Sequence, residues 1–149
     1  MKKITAFFIF AAAFSFLFSQ NVAAEEETRV TVTVISASNQ GKDFNLVNDA
    51  YRDELINLFS YSSYSQLTNF AAGLKKSERQ RFNLPDDYEL ILTLQKIENG
   101  RVMVQAIIRK ENKQYINTVL SILKPGVVFL GGPTLPGGSA LIIVLETGF

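Results

Sequence analysis

The chain has no histidine and no cysteine, and these two absences define what chemistry its side chains can do. The familiar zinc sites, Ser-His-Asp triads and Cys-His dyads all need an imidazole or a thiolate, so they are excluded. The commonest proton shuttle near neutral pH is missing too. Acid–base or nucleophilic work would fall to carboxylate, lysine, tyrosine or serine. Asp86-Asp87-Tyr88-Glu89 crowds acidic groups together, but it lacks the longer alternation of oxygen ligands that a calcium loop requires. A glycosidase needs two carboxylates at a set separation, and no feature of the sequence brings such a pair together. No catalytic, cofactor-binding or metal-ligating residue is therefore assigned, and a carboxylate-dependent hydrolase is carried only as an alternative.

Three features suit binding better than catalysis. The first is Gly131, Gly132, Pro133, Thr134, Leu135, Pro136, Gly137 and Gly138. A phosphate-cradling glycine loop needs a helix behind it and usually a Lys-Ser/Thr pair, whereas here an apolar strand follows. This segment reads as a hairpin loop shaped by glycine and proline, and its functional form is a protrusion that docks Leu135 on a partner. In the second, Phe59, Tyr61 and Tyr64 bunch aromatics where a helix hands over to a strand, as a core lid or as a groove for peptide or glycan. In the third, Lys75, Lys76, Arg79 and Arg81 gather near one expected hairpin tip, as a solvated turn or a contact for anionic lipid or polysaccharide.

The elements that must position these groups follow from periodicity. Arg29 to Ile35 alternates strictly, with Val30, Val32 and Val34 on one face, and predicts a half-buried strand. Val47, Tyr51, Leu55 and Leu58 form a stripe that predicts a helix over 45–59, capped by Asp43 or Asn45. Residues 64–74 are extended, with Leu67 out of phase, which hints at a bulge. Tyr88 to Ile97 and Val102 to Lys110 flank Asn99-Gly100, a type I′ hairpin signal. That turn sets Glu98 opposite Arg101, Glu89 opposite Lys110, Leu92 opposite Ile107 and Ile91 opposite Ile108. Pro125-Gly126 fits a type II turn, and 127–130 and 140–146 have the length of buried strands. The fold class expected is α+β: one amphipathic helix packed on a largely antiparallel sheet of about seven or eight strands, with a sandwich as its closed form.

Two segments carry family likenesses. Asn117 to Val119, through Lys124-Pro125-Gly126, to Gly131-Gly132 resembles the strand-turn-strand segment ending in Gly-Gly of outer-membrane secretins, over 16 residues. Phe149, with Leu141, Ile143 and Leu145 in phase, resembles the last strand of outer-membrane barrels, although Thr147 stands where an aromatic is usual. The second likeness makes a small outer-membrane β-barrel an alternative. The strands do not keep the alternation that a small barrel requires.

The remaining signal is an address. Met1-Lys2-Lys3, the apolar stretch Ile4 to Phe18, polar Ser19 to Asn21, and Val22-Ala23-Ala24 before three glutamates form a tripartite export signal over 1–24. Its apolar core is shorter than a membrane span, and an uncleaved anchor is the competing reading. Residues 25–149 then form a single exported domain of 125 residues, large enough to build a core without staples. The first 24 residues hold two of the 15 basic residues and none of the 14 acidic ones, which leaves 13 against 14. That near-neutral balance gives no electrostatic reason to expect nucleic acid. Without cysteine there is neither a lipidated N-terminus nor a disulfide. The sequence thus points to a non-catalytic periplasmic or extracellular binding or assembly module. Its partner would be another envelope protein or a surface ligand, with no cofactor and no membrane-spanning segment after residue 24. N-terminal sequencing of the exported chain is expected to start at Glu25; recovery of the chain with Met1 to Ala24 attached would establish the anchor instead.

Overall fold

A computed structural model describes residues 26–148; the segment 1–24 expected to be an export signal, Glu25 and Phe149 lie outside the described residues. The strands are β1 (Glu27–Ser38), β2 (Phe44–Asn45), β3 (Ser63–Lys75), β4 (Arg79–Asn83), β5 (Tyr88–Glu98), β6 (Arg101–Lys110), β7 (Lys113–Leu123), β8 (Gly126–Thr134) and β9 (Ala140–Thr147), with helix α1 (Arg52–Leu58) after β2. They form two sheets, a first of order β2-β3-β1-β9-β8 and a second of order β4-β5-β6-β7. Every pairing is antiparallel except the short one between β2 and β3. The protein is α+β, as expected, and the sheets stack as a sandwich. Among the described residues the strands form two sheets and not one closed barrel, and Phe149, which carries part of the barrel likeness, lies outside them.

The core between the sheets follows from alternation. Val30, Val32 and Val34 of β1 and Leu141, Ile143 and Leu145 of β9 meet Leu90, Leu92 and Leu94 of β5 and Val102, Val104, Ala106 and Ile108 of β6. The continuous run Leu141 to Leu145 is explained by a second core on the other side of the same sheet. There Ile142 and Val144, with Ile35, Ala37 and Tyr64, pack under Tyr51 and Leu55. The architecture therefore has three layers, and its middle layer is apolar on both faces where the helical segment covers it. The helix thus lies on the first sheet and not on the β5–β6 hairpin.

The helix is shorter than its stripe. Phe44–Asn45 pairs with Tyr64 and Ser65 as a strand, and Asn48 Oδ1 accepts a hydrogen bond from Ala50 N at 3.0 Å, so Asn48 rather than Asp43 or Asn45 is the cap. A single 3₁₀ turn, Asp49–Tyr51, leads into α1. Tyr51 and Leu55 are buried, but Val47 is 87% exposed and Leu58 56% exposed.

Two local expectations about strand register can be compared directly. Val34 faces Thr68 and Ile35 faces Gln66, so Leu67 is the extra residue of a bulge, where its phase pointed. Asn99 and Gly100 both take positive φ, 52° and 71°, and Glu98 faces Arg101 as a type I′ turn requires. A second bulge at Gln95 then shifts the ladder by one residue. Glu89 faces Arg109 rather than Lys110, Leu92 faces Ala106, and Ile91 faces Ile107. The charge pairing survives the shift, because Arg109 Nε donates to Glu89 Oε2 at 2.8 Å and Lys110 Nζ donates to Asp86 Oδ2 at 2.9 Å.

Two connections expected as tight turns instead carry the chain between sheets. Residues 76–78 link β3 to β4, with Ser77 at φ 65°, so the basic cluster sits at a crossing and not at a hairpin tip. Lys124-Pro125 links β7 to β8 through a cis peptide, and Gly126 does not take the positive φ of a type II turn. Glycine is needed at 126 for another reason: a Cβ there would run into the carbonyl oxygen of Leu123.

These contacts set expected stabilities. Leu92→Ala is expected to cost about 2–5 kcal/mol by denaturant unfolding, because Leu92 is fully buried and its truncation opens a cavity in the core. Gly126→Ala should cost about 1–3 kcal/mol by overpacking. Val119→Ala, on the wet face of β7, should stay within about 0.5 kcal/mol.

Candidate functional site

The residues expected to bind are divided by the fold. Tyr64 is fully buried, and its hydroxyl donates to the carbonyls of Leu55 at 3.1 Å and Phe59 at 3.2 Å. Leu55 O already accepts Phe59 N at 3.0 Å, so the hydroxyl adds a second, side-chain contact to the closing turn of α1. Tyr64 is a structural residue and does not belong to an open groove. Tyr61 is half-buried and meets the Tyr64 ring edge-on, with centroids 6.4 Å apart. Gly131, Gly132, Pro133 and Thr134 belong to β8, so only Leu135 to Ser139 form the loop. Leu135 N donates to Ser139 O at 2.6 Å, and Gly137 and Gly138 supply φ of 96° and 91°. Leu135 is half-buried and packs on the inter-sheet core, so the side chain expected to dock on a partner is held by its own domain. What remains there is a shallow polar cleft of about 300 Å³, where Pro136 to Ser139 meet Ser38 to Gln40.

The basic cluster is partly neutralised. Lys76 Nζ lies 3.5 Å from Glu26 Oε2, and Arg81 shares Glu89 with Arg109. The acidic run is spent in the same way, since Asp86 holds Lys110 and Glu89 holds its two arginines.

Two places that sequence periodicity did not single out have more of the character of a site. One is the edge of the first sheet. Among the described residues β8 pairs only with β9, so its other edge carries backbone groups from Gly126 to Leu130 that no described strand pairs. Beside that edge runs a groove of about 470 Å³ between α1 and β8, bounded by Glu54 and Leu58 on one side and Val127, Val128 and Phe129 on the other. Leu58 and Val127 are 56% and 43% exposed, so the groove offers apolar surface next to free amides and carbonyls. Gly132 and Pro133 fall in a break of the ladder that ends the open stretch.

The other place is a cleft of about 380 Å³ on the outer face of the first sheet, where the helical segment stops covering it. Thr33, Asn69 and Glu146 form its floor, and Asn48, Tyr51 and Gln66 its walls. Alternation alone puts Glu146 here, because Ile142 and Val144 are on the same face of β9. Burial is the main cause that drives the Tyr51 phenol well above the ordinary tyrosine range, and the neighbouring Glu146 carboxylate adds to it. A phenol held in this way keeps its proton and serves as a donor, not as a base or nucleophile. The cleft was not legible in the sequence because its six polar residues come from four separate segments.

The Tyr51 shift gives a pH test. A folded pKa above the unfolded value of 10.0 means its stabilising effect is complete below pH 10 and is lost as pH rises beyond it. Tyr64 and Tyr88 shift in the same direction, so the difference between wild type and Tyr51→Phe isolates the effect. Denaturant midpoints measured across that range should fall less steeply with pH in Tyr51→Phe; parallel curves would count against a raised Tyr51 pKa.

No protein-family model matches the chain, and comparison with characterised proteins finds no match to it.

Proposed function

We propose that the chain is a non-catalytic binding or assembly module of the bacterial cell envelope, exported by residues 1–24, which captures an extended segment of another envelope protein along β8. The observation that carries this reading is the coincidence of an unpaired sheet edge with an apolar groove beside it. An added strand gains main-chain hydrogen bonds from the edge, and every second side chain can settle between Leu58 and Val127. The bonds supply affinity for any extended segment, and the groove selects one with apolar residues at alternate positions. A carboxylate-dependent hydrolase has less support. Among the described residues lining the Tyr51 cleft, Glu146 is the single carboxylate, and Tyr51 is held protonated. Among the described residues, no helix is long and apolar enough to cross a membrane.

The test places a photo-crosslinking residue at Val127, at Leu58 or at exposed Gln95 in the exported chain within intact envelopes. Capture of one partner segment from positions 127 and 58 but not 95 is expected. A synthetic copy of the captured segment should bind, and the same peptide N-methylated on alternate amides should not. Equal capture at all three positions, or equal binding of both peptides, would contradict strand addition at β8.

A further inference from the structure

We infer that the Tyr51–Glu146 cleft is a second, independent site that binds a neutral polyhydroxylated ligand of the pyranose class. Its lining offers both donors and acceptors, and Asn69 and Gln66 each have one side tied down. Asn69 Nδ2 donates to Thr33 Oγ1 at 2.9 Å, which leaves the Asn69 carbonyl oxygen for a ligand. Gln66 Oε1 accepts from Val47 N at 3.4 Å, which leaves the Gln66 amide hydrogens. The Glu146 carboxylate, which lines the cleft together with the Tyr51 phenol, offers acceptor oxygens. A sugar hydroxyl both donates and accepts, so neighbouring hydroxyls on one ring match an amide donor beside a carboxylate and a carbonyl acceptor. Groups locked by the protein beforehand lose little freedom on binding.

Other ligand classes fit less well. An anion would meet Glu146. An ammonium ion needs acceptors all round and would face the Gln66 amide hydrogens. An apolar molecule would strip water from six polar side chains without replacing their hydrogen bonds. Val47, 87% exposed at the rim, supplies the apolar contact that a C–H face of a sugar ring can use. The volume of about 380 Å³ is at the small end of ligand sites and suits one or two rings rather than a long polymer.

The test follows the side-chain amide resonances of Gln66 and Asn69 by ¹⁵N–¹H NMR in the purified chain. Glucose, N-acetylglucosamine and its β-1,4-linked dimer are titrated in, with butylammonium and acetate as charged probes. At least one sugar should give saturable shifts at both side chains, with affinity reduced about tenfold or more in Glu146→Ala and Gln66→Ala, the cost of losing a hydrogen-bond partner of the ligand. Asn117→Ala, on the second sheet, should bind as wild type. Spectral dispersion of each variant reports folding, and Gln66→Ala alone decides the matter if Glu146→Ala unfolds. No shift with any sugar, shifts unchanged in Gln66→Ala, or saturable binding of butylammonium or acetate in place of sugar would overturn the proposal. A peptide paired along β8 leaves these resonances in place, so this result is separable from strand capture.

Discussion

The structure depends on burying both faces of the first sheet at β1 and β9. Ile142 and Val144 point to the helical layer while Leu141, Ile143 and Leu145 point to the second sheet, so neither neighbouring layer can be removed without exposing the strand between. With no disulfide available, this double burial is where stability must come from, and hydrophobic transfer supplies it in proportion to the area covered. Other features are arranged around it. Tyr64 locks the end of α1 from below through two carbonyls, and Thr147 Oγ1 donates to Leu123 O at 2.6 Å where the chain crosses between sheets.

The middle layer also explains where binding surfaces are left. The helical segment is short, with α1 running only from Arg52 to Leu58, so it covers part of the outer face and stops. Where it stops toward β3, the uncovered floor is polar and forms the Tyr51–Glu146 cleft. Where it stops toward β8, the uncovered surface is apolar and borders an unpaired edge. One short helix on a wide sheet thus produces two sites of opposite character, and the side chains at its two margins decide which is which.

Much of the fold was legible because it is local. Alternation found β1, the phase slip at Leu67 found its bulge, and Asn99-Gly100 found the hairpin with both residues in the left-handed region. The register beyond that turn was misjudged by one residue, because the bulge at Gln95 has no glycine or phase break to announce it. The helix was overextended because Val47 and Leu58 keep the period of a stripe while serving no core. The division into two sheets was not legible, since nothing local distinguishes a turn that returns a strand to its sheet from one that carries it to another. The sites depend on that division. The glycine-rich segment looked like a binding loop by composition, yet half of it is strand and its leucine is packed, whereas the cleft draws Thr33, Asn48, Gln66 and Glu146 from segments far apart in sequence.

The central claim is that a doubly buried β1–β9 pair carries the fold and leaves the edge of β8 open for pairing. Amide hydrogen exchange tests it most directly. The account predicts that amides of β9 paired to β1 exchange only through global unfolding, while the outward amides among Gly126 to Leu130 exchange fast in the isolated protein and become protected when the captured segment is added. Uniform slow exchange along β8 in the isolated protein, or β9 amides that exchange ahead of global unfolding, would contradict it.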